Sequence, residues 1–243
     1  MLLSIVTVNY NNHKGLLKTY ESIRQLLKFK NVEWIIVDAS STDSTGQLLK
    51  TFLNEDYKVI SETDEGIYDG MNKGIKLSVG KFIWFLNSGD AFTRDIAPSK
   101  LLLHLEAKDI DAACFLAKWD SGRRFNNKIL LKALKLPNHQ SLIYKRQYAY
   151  DNSFLWRNFP ISADIVHKYE LLKKYRVAHF DQVLVESEDG GVSVKKINIH
   201  QYIQRVNERV RLHNHLDTGR LNLFWSLIFS LKLLMKLDAN IFK

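Results

Sequence analysis

The first ninety residues alternate short apolar, β-branched runs with amphipathic stripes, and this alternation limits the fold more than any other feature of the chain. Leu2–Asn9 is dense in apolar and β-branched residues and reads as a buried strand. Leu16, Leu17, Tyr20, Ile23, Leu26 and Leu27 then recur at helical spacing. Glu33–Asp38 (EWIIVD) repeats the strand pattern. It runs into Ala39-Ser40-Ser41-Thr42-Asp43, a turn able to cap a helix through Leu48, Leu49 and Phe52. Tyr57–Ser61 predicts a third strand, Ile67, Met71 and Ile75 a helix, and Lys81–Leu86 (KFIWFL) a fourth strand. Strands alternating with helices of this length build a mostly parallel sheet with helices on both faces. After Asp90 the pattern loosens. Ala97–Leu105, Ser162–Tyr175 and Lys195–His215 read as helices, Asp111–Leu116 and Arg123–Leu130 as strands, and no internal repeat is visible.

A chain of 243 residues, 46% hydrophobic and 25% charged, fits one α/β domain with an extension. Cys114 is the single cysteine, which excludes an internal disulfide and suits a reducing compartment. The start, MLLSIVTVNYNN, lacks a basic leader region and reads as a strand. No uninterrupted apolar run reaches the ~18 residues a membrane span requires. Charge divides unevenly: residues 1–120 hold 14 Lys+Arg and 16 Asp+Glu, residues 121–243 hold 21 and 10. A basic second half suits an anionic partner, or is simply a solvated face. The basic residues are scattered and no nucleic-acid motif accompanies them, so no nucleic acid is expected. Arg220–Lys243 crowds Leu, Phe and Trp225 around Lys232 and Lys236. It suits a helix lying in a membrane interface, or one docked on the domain or on a second subunit, leaving a homo-oligomer open.

Three strand ends deliver polar groups: Asn9-Tyr10-Asn11, Asp38, and Asn87-Ser88-Gly89-Asp90. In a doubly wound sheet these C-terminal ends share one edge, so the groups can converge on one ligand. Asp38 suits hydrogen bonds from a base or ribose, and Asp90 suits a divalent cation; both equally fit turn or cap residues. Neither a Gly-x-Gly-x-x-Gly nor a Gly-x4-Gly-Lys-Ser/Thr cradle occurs.

SIVTVNYNNHKGLLKTYESI, EWIIVDASSTDSTGQLL, EGIYDGMNKG and GKFIWFLNSGD, in this order across Ser4–Asp90, resemble the successive blocks of family 2 glycosyltransferases of bacterial exopolysaccharide synthesis, the colanic acid and amylovoran type. LPNHQS (Leu136–Ser141) and ISAD (Ile161–Asp164) resemble weaker downstream blocks. The resemblance implies a GT-A fold, a Rossmann-like, mostly parallel twisted sheet flanked by helices. It places that domain in residues 1–194, with 195–243 as a C-terminal helical extension. Asp38 matches the aspartate that contacts the nucleoside, Asp64 a nucleotide-side aspartate, and Asn72 the adjoining helix motif. Thr7, Asn9, Tyr10 and Ser88 fall among the donor-binding residues of their blocks. Asp90 matches the last aspartate of the metal motif, and His139 lies in a block near the donor diphosphate, where it also fits a structural histidine. Asp164 matches the catalytic base, and also fits a first-turn helix residue.

The turn departs from the family pattern, since Asn87-Ser88-Gly89-Asp90 keeps one carboxylate where two or three are usual. Mg²⁺ or Mn²⁺ can still be held by one carboxylate and substrate phosphates. The function implied is inverting transfer from a UDP- or GDP-sugar to a hydroxyl of a lipid-linked saccharide, by a cytoplasmic enzyme peripheral to the inner face of the cell membrane. The alternative is a catalytically silent nucleotide-sugar-binding module that partners another transferase.

Overall fold

The computed structural model describes residues 1–53, 57–107, 110–119, 124–125, 136–187 and 199–216. The four strands expected before Asp90 form as β1 (Leu3–Asn9), β2 (Val32–Asp38), β3 (Lys58–Ser61) and β4 (Phe82–Phe85). Between them run α1 (His13–Ile23), α2 (Thr45–Leu53) and α3 (Ile67–Leu77). β1 is central: it pairs in parallel with β2 over its whole length and with β4 through Leu3–Val6. β2 pairs in parallel with β3, and Asp38 sits opposite Ser61. All four strands therefore end on one edge, as the alternation requires.

The second half adds β5 (Ala91–Phe92), α4 (Pro98–Glu106), β6 (Ala112–Trp119), β7 (Arg124–Phe125), β8 (Leu142–Lys145), α5 (Arg146–Asp151), α6 (Ala163–Lys174), β9 (Val177–Ser187) and α7 (Ile199–His215). Among the described residues the sheet order is β3-β2-β1-β4-β8-β6-β9-β5, with β7 on β6. β8 is antiparallel to both β4 and β6, whereas β6 and β9 are parallel. The sheet is thus parallel from β3 to β4 and mixed beyond. The expected strand at 123–130 is described only at Arg124–Phe125, and the amphipathic segment Arg220–Lys243 lies outside the described residues. No helix among the described residues is long and apolar enough to cross a membrane.

Successive strand side chains point to opposite faces, so β1 feeds two cores. Leu3 and Ile5 join Leu16, Ile23, Trp34, Phe52, Trp84 and Leu101 on the α1–α2 face. Val6 and Val8 join Met71, Ile75, Phe85, Tyr148, Val166 and Leu212 on the other. Trp34 anchors the first core, with the rings of Tyr20, Phe52 and Tyr57 at 5.6, 5.0 and 5.2 Å. Leu212 and Leu216 bring α7, which lies within the extension expected from residue 195, into the second core at 2% and 4% exposure.

α3 lies on β1 where glycine permits close approach. A Cβ at Gly74 would stand 2.3 Å from Val6 Cγ1, far inside contact distance. Gly74→Ala is therefore expected to destabilise the protein by about 1–3 kcal/mol through overpacking, outweighing alanine's better helix propensity. Gly46→Ala in α2, where nothing lies within 4 Å of the new Cβ, should stabilise by about 0.5–1 kcal/mol. Urea denaturation of both variants measures the contrast; the same sign for both would contradict this packing.

Candidate active site

The edge where β1, β2 and β3 end is welded by one carboxylate. Asp38 is 1% exposed. Its Oδ1 accepts from Asn9 Nδ2 at 2.8 Å and Ser41 Oγ at 2.5 Å. Its Oδ2 accepts from Ser41 N at 2.9 Å and Ser61 Oγ at 2.8 Å. A carboxylate has about four acceptor positions, so Asp38 is fully engaged in holding three strand ends together. The loop after β2 is tied to the loop after β1 as well: Asn11 N donates to Ser41 Oγ, and Asn11 Oδ1 accepts from Thr42 N, both at 2.8 Å. Asn11 and Ser40 adopt positive φ, 45° and 50°, to close this rim. Tyr10, 66% exposed, stands free above it.

β4 continues past Phe85 along β1, with Leu86 N and Ser88 N donating to Val6 O and Val8 O. This lays the turn Asn87-Ser88-Gly89-Asp90 beside Asn9. Thr19 of α1 secures the turn: its hydroxyl lies 2.7 Å from Asp90 O and 3.2 Å from Asn87 O, and accepts from Gly89 N. Ser88 Oγ donates to Asn12 O. Gly89 has φ 102°, a region in which L side chains are strained. The position where the family pattern would carry another carboxylate is thus committed to a glycine conformation.

Asp90 is 7% exposed. Burial pushes its carboxyl up to about 6, against the pull of the Ser187 hydroxyl and the Gln140 amide. Gln140 Nε2 donates to Asp90 Oδ2 at 3.1 Å. Asn87 Nδ2 lies 3.4 Å from His139 Nε2, and His139 Nδ1 lies 3.9 Å from Asp164 Oδ2. Burial lowers His139 to about 4 although Asp164 opposes this, so the imidazole is neutral at neutral pH.

Asp164 lies in the first turn of α6. The ammonium of Lys168, one helical turn on, is 2.9 Å from its Oδ2. The Tyr68 hydroxyl is 2.7 Å from its Oδ1 and 3.0 Å from Ile161 O, with one proton to give. Burial raises the Asp164 carboxyl, but Lys168, His139 and Tyr68 outweigh it and hold it at about 2. Lys168 is itself 7% exposed and donates to Pro137 O at 3.1 Å. Consecutive residues His139 and Gln140 thus face Asp164 and Asp90 respectively.

Not every residue named from sequence faces these groups. Thr7 is fully buried: its hydroxyl donates to Leu86 O and accepts from Trp34 Nε1, leaving no surface for a ligand. Asn72 clamps the main chain of Phe154, donating to its carbonyl and accepting from its N–H. Asp64 is half-buried at the mouth, with Gly66 N on its Oδ1. Burial raises its carboxyl, and the nearby Asp69 and Asp38 add to this. Lys168, Tyr68 and Gln140 were not singled out from sequence. Lys168 carried a signal, its i,i+4 spacing from Asp164.

For a divalent cation, the fit is partial. Among the described residues no group of three or more His, Cys, Asp or Glu side chains converges. Yet Asn87 Oδ1 and Gln140 Oε1, on two residues bonded to Asp90, are buried oxygens without hydrogen-bond partners. Buried polar atoms rarely stay unpaired, and oxygen atoms beside one carboxylate suit a hard cation that takes its remaining ligands from a substrate.

An α/β sheet with a carboxylate-lined C-terminal edge defines the class, a ligand-binding enzyme-type fold. Comparison with known proteins makes it specific. Residues 4–169 match the profile of glycosyl transferase family 2, and the chain belongs to that family. An uncharacterized glycosyltransferase of Mycobacterium tuberculosis is 34% identical over 91 residues, 37% of this chain and 35% of the relative. The chain thus matches about a third of that relative's length. Staphylococcus aureus TarS 1–349 in complex with UDP-GlcNAc superposes with TM-score 0.65 at 20% identity, covering 88% of this chain and 67% of that one. The mannosyltransferase PcManGT of Pyrobaculum calidifontis, in complex with GDP-Man and Mn²⁺, gives 0.63 at 14% identity, covering 98% and 75%. The fold is GT-A.

The raised Asp90 carboxyl sets a pH dependence in the absence of metal. Between about pH 4 and 6 the unfolded chain ionises this group while the folded protein keeps it protonated, so stability falls as pH rises. Asp90→Asn should therefore stabilise the protein at pH 7.5 by on the order of 2–3 kcal/mol and scarcely at all at pH 4. Urea denaturation in EDTA at both pH values checks this; an equal effect at both would contradict it.

Proposed function

We propose that the chain transfers a sugar from a nucleotide-diphosphate sugar, UDP- or GDP-linked, to a hydroxyl of a lipid-linked saccharide in the synthesis of a cell-surface polysaccharide, with inversion. One observation supports this above the rest: a partly buried, ionised Asp164 and the Asp90 of the sheet's C-terminal edge are approached by consecutive residues, His139 and Gln140. Asp164 takes the acceptor's proton while Asp90 lies on the leaving-group side. Direct displacement needs one base and no second nucleophile.

Asp164 held at about 2 is a weak base in the resting protein. An acceptor hydroxyl that enters against it takes over contacts now made by Tyr68 or Lys168, and its proton affinity rises toward the working range. Asp90 would hold a divalent cation, which when bound neutralises charge developing on a diphosphate leaving group. Asp64 and exposed Tyr10 line the nucleoside side, while Asp38 and Asn9 keep the strand ends in place beneath them. The basic second half of the sequence suits an anionic, lipid-linked acceptor at the inner membrane face. A second reading, a silent nucleotide-sugar-binding module, is favoured only by the single carboxylate of the Asn87–Asp90 turn.

A thermal-shift panel of nucleotide sugars with Mn²⁺ should single out the donor, since a ligand of the folded state raises the melting temperature. With that donor, Asp164→Asn should lower transfer by about 10²–10⁴-fold and change donor affinity by less than about threefold. The product's anomeric configuration, read by NMR, should be inverted. Unchanged turnover in Asp164→Asn would remove this residue from the mechanism, and donor binding without any turnover would favour the silent module.

A further inference from the structure

The start of α6 is capped from another helix. Ser162 occupies the N-cap with φ −130° and ψ 22°, and its side chain makes no cap bond. In a capping box the third helical residue, Glu or Gln, reaches back to the N-cap N–H; here that residue is Ile165. Glu208 of α7 fills the role instead. It is 2% exposed, and its Oε1 accepts from Ile161 N at 3.0 Å, Ser162 N at 2.7 Å and Ser162 Oγ at 2.5 Å. Asp164 follows two residues later. Residues 161–164 are thus gripped from two sides, by Glu208 and by the Tyr68 hydroxyl, which reaches both Ile161 O and Asp164. Leu212 and Leu216, buried in the core, and His215, whose ring is 5.3 Å from that of Phe159, fix α7 against the same loop.

We propose that Glu208 is a positioning residue for Asp164. It lies outside residues 4–169, the part matched by the family, on a helix of the C-terminal region. Glu208 touches no reacting atom; it sets where α6 begins, and so where the Asp164 carboxylate stands. The inference rests on the reading of Asp164 as base. Displacing such a group by about 1 Å costs on the order of 100-fold in rate.

The test compares the full chain with Glu208→Ala, Glu208→Gln and Ser162→Ala. It uses the donor that the thermal-shift panel identifies and, in parallel, hydrogen exchange. Glu208→Ala should lower kcat about 10–100-fold with donor KM within about twofold. Glu208→Gln keeps a carbonyl oxygen for the three donors and should stay within about threefold of wild type. Ser162→Ala, which removes one donor, should fall between and serves if Glu208→Ala does not fold. Exchange in Glu208→Ala should quicken over Ile161–Val166 and be unchanged over β1–α3. Wild-type kcat in Glu208→Ala, parallel loss of kcat and donor affinity, or failure of Glu208→Gln to rescue would each overturn the proposal. If the wild type turns over no nucleotide sugar, the functional reading fails by itself. Exchange then decides the positioning: unchanged protection of Ile161–Val166 refutes it, and selective loss sustains it.

Discussion

The pairing of the buried Lys168 ammonium with the partly buried Asp164 carboxylate is the interaction on which the site depends. Taking either charge out of water alone costs several kcal/mol, and a buried charge persists only when it is paired and hydrogen-bonded. Lys168 meets Asp164 at 2.9 Å and Pro137 O at 3.1 Å, so the ammonium is met from two sides. Asp164 gains the Tyr68 hydroxyl as well. The pair draws together α6, the Pro137–Gln140 segment and α3, three stretches far apart in sequence.

The sheet supplies the complementary half. Because β1 pairs in parallel with β2 and β4, and β2 with β3, four strand ends arrive on one edge, and Asp38 locks three of them. Its saturation by Asn9, Ser41 and Ser61 turns a residue that looked like a ligand contact into the rivet of the rim. Asp38 thus organises the rim, Gln140 holds Asp90, and Asp164 stands ionised against Lys168 with His139 3.9 Å away. Burying Asp90 against its own preference, with a carboxyl pushed up to about 6, is a local cost of the sort that functional sites carry.

The first ninety residues were legible because parallel strands buried on both faces show as unbroken apolar runs, such as EWIIVD and KFIWFL. The second half was less so. β9 carries His179, Asp181 and Gln182 among its apolar residues, and β6 shifts register against it between Cys114 and Ala117. Four-residue β8 and six-residue α5 are too short for periodicity to mark. Among site residues, the four aspartates could be found as polar groups at element ends. Thr7 and Asn72 sit in the right blocks, yet their side chains serve the core and the Phe154 loop, which only packing reveals. Glu208 gave no signal at all, since its partner Ser162 lies 46 residues away.

The proposed function puts Asp90 and Asp164 on opposite sides of one bound donor. A crystal structure of the full chain with its nucleotide sugar and Mn²⁺ tests it most directly. The diphosphate is expected beside Asp90 and the anomeric carbon's open face toward Asp164, within reach of an acceptor hydroxyl. A donor bound away from this edge, or one whose anomeric carbon turns its leaving-group face to Asp164, would contradict it.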